Sequence, residues 1–172
     1  MNEFQPTVSV CCLASRSGTR RDSWEVDYTG GSNVLHAFSK FSRAACPHFV
    51  LLSAFCVGKP RLQFQKAKLK LESEIRAMTN ISHSIVRPTA FFKSIDGQIE
   101  SVREGKPIMY FGDGTCAANA ICATDLAKFL VDCAFDPSVL MNATLNVGGP
   151  GTIILLFNIY HFYFEFVFLV LK

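Results

Sequence analysis

The chain has 172 residues, enough for one domain with a substantial core and too few for two large ones. Hydrophobic residues make up 49% and charged residues 18%, a balance that excludes a disordered chain. A formal charge of +3, with no basic stripe interleaved with aromatics, argues against nucleic acid as a partner. The seven cysteines, at 11, 12, 46, 56, 116, 122 and 133, are odd in number and form no CxxC pair. Neither a disulfide framework nor a zinc site is expected; reduced, mostly buried thiols are. His36, His48, His83 and His161 form no ligand-spaced pair, so no metal site is expected.

The opening MNEFQPTVSV lacks both a charged segment leading into an apolar run and an Arg- and Ser-rich stretch, so it does not read as a signal or transit peptide. The elements then follow in order. TVSVCCLA, 7–14, reads as a buried strand. After the loop SRSGTRR, Asp22 is the expected helix cap, with Glu25 as its capping-box partner. A helix to about Ala45 follows, interrupted at Gly30-Gly31 and closed by Pro47. HFVLLSAF, 48–55, is a second buried strand. From Arg61 to Met78, the stripe Phe64, Ala67, Leu71, Ile75 and Met78 predicts a helix. SIVRP, 84–88, is a third strand, and GKPIMYF, 105–111, and AICAT, 120–124, are shorter ones around a GDG turn. Thr124 or Asp125 caps a helix to about Phe135, and ATLNVGGPG, 143–151, is a last strand with a glycine-rich stop. Apolar strands alternating with long helices predict βαβ units and a parallel sheet covered on both faces.

The tail departs from this pattern. Residues 153–171 carry one formal charge, Glu165. A helix of that length spans about 28 Å, close to a bilayer core. Yet Phe162, Phe164, Phe166 and Phe168 alternate as in a strand, and a membrane span places its aromatics at the ends. Three readings stand: a membrane helix, a core element, or a sequence never selected to follow this domain.

Parallel sheets bind ligands at the carboxyl ends of their strands. Three of those ends carry small or polar residues: Ala14-Ser15, Ser53-Ala54 and Pro88-Thr89. Such residues let a planar cofactor lie against the backbone, although tight turns favour them too. FQKAK, 64–68, adds a second signal. Lys66, Lys68 and Lys70 alternate, and two of the three read as a solvated helix face. Short-chain dehydrogenase/reductases use a YxxxK helix in which the lysine binds the nicotinamide ribose and lowers the tyrosine pKa. Here Phe64 stands where the tyrosine would be, so the ribose clamp is kept and the acid is dropped.

In this order, the stretches CLASRSG, DSWEVDY, HFVLLSAFCVGKP, FQKAKLKLE, SIVRPTAFFKSIDGQIE, GKPIMYFGDG, DLAKFL and NVGGPG resemble the 8-vinyl-reductases that act on divinyl chlorophyllide. These are atypical short-chain dehydrogenase/reductases of chlorophyll biosynthesis in plastids and photosynthetic bacteria. The resemblance covers roughly residues 7–151. It implies an α/β fold, a partial Rossmann-like parallel sheet with flanking helices, followed by the aromatic-rich hydrophobic segment. Residues 1–151 would be the carboxyl-terminal part of an NAD(P)-binding reductase domain, and 152–172 a tail whose origin stays open.

The resemblance further implies NADPH-dependent reduction of a tetrapyrrole's 8-vinyl group to ethyl, in the chloroplast. Reducing a conjugated alkene needs hydride delivery to carbon and protonation of a delocalised carbanion, not a phenol polarising a carbonyl. By carry-over, Leu13, Ala14, Ser15 and Ser53 would line the cofactor and Lys68, as the catalytic residue, would hold its ribose. Pro88, Thr89 and Phe91 would close over the nicotinamide. Arg16 would approach a phosphate, or else be a solvated loop residue. Phe91 and Phe92 would stack on the tetrapyrrole, or else pack as core. Lys68 or a bound water would supply the proton.

No strand, GxxGxxG loop and helix of the family's opening kind is found, and TCAANAI replaces a lysine-proline pair after GDG. The expectation is therefore a middle piece of such an enzyme, exposing a sheet edge and binding NADPH weakly or not at all by itself. A noncatalytic NAD(P)-sensing or assembly protein on the same scaffold is the alternative, and a membrane-tethered protein is a third reading that rests on the tail.

Overall fold

In the computed structural model, residues 5–93, 100–101, 103–106, 115, 117–136 and 140–154 are described. They fall into two compact units, the first made of residues 1–88 and 126–147 and the second of 89–125 and 148–172.

The first unit is built on a four-stranded, wholly parallel sheet. Its strands are β1 (Val8–Cys11), β2 (His48–Leu52), β3 (Ser82–Pro88) and β5 (Ala143–Val147), adjacent in that order. The registers pair Val10 with Val50, Leu51 with Ile85, and Val86 with Leu145. Helical segments connect β1 to β2 and β2 to β3, as parallel pairing demands. Period-two alternation sends Cys11, Phe49, Leu51 and Ile85 to one face, where they meet Leu35, Phe38, Leu71, Ile75 and Ile81. The Phe38 and Phe49 rings lie 5.9 Å apart. Each such side chain contributes about 1.5–3 kcal/mol on burial, which makes this layer the core of the unit. The parallel α/β architecture matches the sequence expectation.

The first crossover differs from it. Thr19, not Asp22, caps the helix by accepting from the Asp22 amide. Asp22 is occupied by the Ser17 hydroxyl and amide, and Glu25 pairs with Arg21. The chain then runs without interruption through α1 (Arg20–Asp22), a π-helical segment (Ser23–Gly30) and α2 (Gly31–Phe41). Gly30 and Gly31 are both right-handed helical, so they break nothing. Gly31 is there for space: a Cβ would collide with the Leu71 side chain of the next helix. The helix ends at Phe41 rather than Ala45, well before Pro47.

The second crossover is a 3-10 turn (Phe55–Gly58) and α3 (Gln63–Ala77). Gln65 reaches back to accept from the Arg61 and Leu62 amides, which satisfies two orphan donors at the helix start. Ala67, Leu71 and Ile75 are buried as the stripe predicts. Strand β2 stops at Leu52, shorter than expected, and β3 starts two residues earlier, at Ser82.

In the second unit, Phe91 bridges Ile121, and β4 (Ala117–Ala118) pairs antiparallel with β6 (Ile153–Ile154). Gly149 lies against the Ala120 carbonyl where no Cβ fits. The expected strand at 120–124 is reduced to the Ile121 bridge, because α4 (Ala123–Phe135) begins there. Apart from Gly105 and Lys106, the expected strand at 105–111 lies outside the described residues, as does the tail beyond Ile154. Among the described residues no helix is long and apolar enough to cross a membrane. The thiols are not mostly buried. Cys11 and Cys133 are, whereas Cys12, Cys46, Cys56 and Cys122 are exposed and all six are unpaired. Loop and strand-end positions put them there.

At the amino ends of the strands, His48 is buried between two hydroxyls, Nδ1 at 2.7 Å from Ser82 Oγ and Nε2 at 3.0 Å from Ser84 Oγ. Burial, and then the charge of the neighbouring His83, holds the His48 pKa below its ordinary value. Burial and then Arg76 do the same to His83. A depressed folded-state pKa means that the native state resists protonation. The stability gained is whole above about pH 6.5, the unfolded value, and is lost as pH falls from there toward the folded values. We therefore expect a urea midpoint that is flat between pH 8 and 7 and falls between pH 6.5 and 5, with a shallower fall in His48→Asn. A midpoint independent of pH across that window contradicts this.

Candidate functional site

The carboxyl end of the sheet gathers charge that the core excludes. Lys68 projects from the sheet-facing side of α3, beside Ala67 and Leu71, so the packing that buries the apolar stripe also fixes the lysine. Its Nζ donates to the Leu13 carbonyl (3.1 Å) and the Leu52 carbonyl (3.3 Å), just past β1 and at the end of β2. The same nitrogen stands 3.2 Å from Asp27 Oδ1, with side-chain exposures of 7% and 1%. Asp27 Oδ2 accepts from the Ser15 amide at 3.3 Å, while Oδ1 receives no hydrogen bond among the described residues. Phe64, one turn before Lys68, is half-buried and brings no polar atom.

A second charged group lies one turn further along α3. Glu72 is fully buried and accepts from Ser53 Oγ (2.6 Å), Arg87 Nε (3.0 Å) and Nη2 (2.5 Å), and Arg76 Nη2 (2.8 Å). Burial pushes its carboxyl up, but the hydrogen bonds from Arg87, Ser53 and Arg76 outweigh it and hold the pKa below the usual glutamate value. Arg87 in turn is raised by that hydrogen bond. The Ser53 amide donates to the Val86 carbonyl at 2.7 Å, so β2 and β3 are tied together at this end.

The structure thus brings Leu13, Ser15, Ser53, Lys68 and Pro88 to the carboxyl ends of β1–β3. Leu13 and Ala14 are exposed, Pro88 is the buried last residue of β3, and Ser53 is buried with its hydroxyl committed to Glu72. Arg16 is exposed. Thr89, Phe91 and Phe92 belong to the second unit, where Thr89 Oγ1 donates to the Asn119 carbonyl and the Phe92 amide donates to Ile121. Phe91 is half-buried and Phe92 is 45% exposed. Among the described residues no group of three or more His, Cys, Asp or Glu is placed to hold a metal.

Sequence reasoning missed Asp27 and Glu72. In the structure Asp27 shares one buried helical face with Ser23, Gly31, Leu35 and Phe38, at steps of four, four, four and three. It lies in the π-helical segment, a feature frequent at functional sites. The cost of burying Lys68 and Asp27 is offset only while both are present. Removing one partner of a buried pair typically costs about 3–5 kcal/mol. Asp27→Asn should therefore lower urea-unfolding stability by about 3 kcal/mol or more, and Asp27→Leu/Lys68→Met should recover most of it. A loss within experimental error for Asp27→Asn contradicts the pairing.

Solved structures with this fold define the class. A UDP-glucuronic acid 4-epimerase from Bacillus cereus, in complex with NAD, superimposes with a TM-score of 0.71 over 87% of this chain and 56% of its own, at 15% identity. The WbmF enzyme of Bordetella bronchiseptica, in complex with NAD+, does so at 0.70 over 87% and 54%, at 11% identity. The fold is Rossmann-like, an α/β dinucleotide-binding architecture. No family model matches the chain. Curated relatives are much closer in sequence. Divinyl chlorophyllide a 8-vinyl-reductase, chloroplastic, of Arabidopsis thaliana is 49% identical over 154 residues, 86% of this chain and 36% of the relative. The protein of the same name from Oryza sativa subsp. indica is 50% identical over 148 residues, 83% and 36%. This chain is a relative of the divinyl chlorophyllide a 8-vinyl-reductases, as its motifs suggest, and it spans about a third of the length of those it matches.

Proposed function

We propose that this chain is the ribose- and substrate-side segment of an NADPH-dependent reductase that converts the 8-vinyl group of divinyl chlorophyllide, or of the corresponding protochlorophyllide, to ethyl. The single observation that carries the reading is the Lys68 ammonium buried at two strand ends with Phe64, and no phenol, one turn away. Identity of about half to the plant reductases gives the substrate class. The chloroplastic location of those relatives supports a reaction in the plastid.

The residues present fit a nicotinamide ribose. Lys68 directs its three N–H donors at the Leu13 and Leu52 carbonyls and at Asp27, so a sugar hydroxyl would take the place of one carbonyl. Asp27 Oδ1, buried with only that ammonium beside it, has acceptor capacity for the same hydroxyl. The exposed Leu13 and Ala14 leave the backbone at the end of β1 open to a flat ring. When bound, the reduced nicotinamide supplies a hydride to the terminal vinyl carbon. The resulting carbanion is delocalised into the macrocycle and takes its proton from water or from Lys68. The residues of this chain orient that exchange. Lys68 fixes the ribose by charge and hydrogen bond, and Asp27 keeps its ammonium in place. Phe64 supplies apolar contact where a carbonyl reductase would need a hydroxyl, because no oxyanion develops on an alkene. Phe91 and Phe92 offer the aromatic faces for the tetrapyrrole.

The test is vinyl reduction by the full chain, and by the Arabidopsis relative with its matching segment replaced by this one. Product is followed by the shift in tetrapyrrole absorbance. We expect NADPH-dependent ethyl product, a loss of at least tenfold in kcat/KM for Lys68→Ala, and little change for Lys66→Ala. NADPH binding without any vinyl reduction in either protein would favour the noncatalytic sensing role, and Lys68→Ala at wild-type activity removes Lys68 from the mechanism.

A further inference from the structure

Glu72 takes no part in the chemistry above, yet it is the most heavily engaged carboxylate of the first unit. It receives hydrogen bonds from side chains on three elements: Ser53 just past β2, Arg87 on β3, and Arg76 on its own helix. Arg76 carries the connection on to Thr144 Oγ1 of β5 at 3.0 Å. Three adjacent strands are therefore fastened to α3 at one carboxylate, at the same end of the sheet where Lys68 meets Leu13 and Leu52.

We infer that Glu72 is a positioning residue that sets the seat of α3 on the strand ends and thereby the place of the Lys68 ammonium; this rests on the reductase reading for its consequence, not for its geometry. Lys68 and Glu72 are four residues apart on one helix, so they stand on the same face about one turn, roughly 6 Å, apart. A rigid helix cannot shift at Glu72 and stay fixed at Lys68. The apolar stripe alone does not define this seat, because Ala67, Leu71 and Ile75 pack without direction, whereas a two-bond arginine–carboxylate contact fixes distance and angle together. Ser53 belongs to the same device. Its hydroxyl proton is given to Glu72 and its amide to Val86, so the chain leaving β2 is held from both sides just after the Leu52 carbonyl that Lys68 uses. The role assigned to Ser53 by sequence, lining the cofactor, thus becomes fixing the turn on which the cofactor lies.

A buried carboxylate is also structural, so the test has to separate fold from position. In the full chain, Glu72→Gln leaves Arg87 unpaired and loses both stability and NADPH affinity. The informative protein is Glu72→Leu/Arg87→Met, in which buried charge is replaced by apolar volume and stability is expected to return. Positioning predicts that in this double variant the urea midpoint recovers while NADPH affinity, by fluorescence titration, stays at least tenfold weaker. It also predicts at least tenfold faster hydrogen exchange at the Ser53 amide, with that of Val50 unchanged. Affinity that recovers together with stability overturns the inference. Where the wild-type chain alone binds no NADPH, affinity is read in the Arabidopsis relative carrying this segment, whose failure to bind removes the reductase reading. Ser53 exchange decides the rest: unchanged protection in the double variant overturns the positioning role on its own.

Discussion

A lysine buried to 7% exposure is the constraint from which the rest of this structure follows. An ammonium out of water needs an opposite charge and oriented acceptors, or it gives up its proton. Asp27 meets the first need and the carbonyls of Leu13 and Leu52 the second. Carbonyls are free to do this only where strands end, which is why the charge sits at the carboxyl edge of the sheet and not within it. The same logic recurs one turn away with the sign reversed. The Glu72 carboxylate is buried because two guanidinium groups and a hydroxyl surround it.

Helix α3 does two jobs with one face. Ala67, Leu71 and Ile75 hold it to the sheet without directional preference, and Lys68 and Glu72 give that contact a register. The helical run before it adapts to the same end: the π-helical segment turns Asp27 inward, and Gly31 lets Leu71 approach the backbone. Chemistry and fold are coupled here because the groups that would hold a ribose are also the ones that keep the helices seated.

Much of this was legible in the chain. Apolar β-branched runs gave the parallel sheet, although only the central β2 and β3 are buried on both faces and Val10 of β1 is exposed. The stripe in FQKAKLKLE placed α3, and FQKAK marked Lys68 as the chemically interesting residue. The aspartate beneath it was not legible. Asp27 shares a helical face with Gly31, but an aspartate in DSWEVDY reads as solvent-facing until Lys68 is known to reach it. Glu72 was hidden for a related reason, since a glutamate just after three alternating lysines reads as surface until Arg87 and Ser53 are known to converge on it. The cap at Asp22 failed because Ser17 competes for its carboxylate. The strand at 120–124 failed because α4 starts at Ala123, which leaves only Ile121 to bridge Phe91.

What these features add up to chemically is a site with an ammonium but, among the residues described around it, no phenol. Phe64 has no hydroxyl, and the Ser53 hydroxyl is turned toward Glu72. Such a site suits hydride transfer to carbon better than to a carbonyl, in keeping with relatives named for vinyl reduction. The most direct measurement is a crystal structure of the full chain with NADPH. The account predicts Lys68 Nζ at about 3 Å from a hydroxyl of the nicotinamide ribose, with Asp27 still beside it. A ribose bound elsewhere, or an ammonium still occupied wholly by Leu13, Leu52 and Asp27 with the cofactor in place, would contradict it.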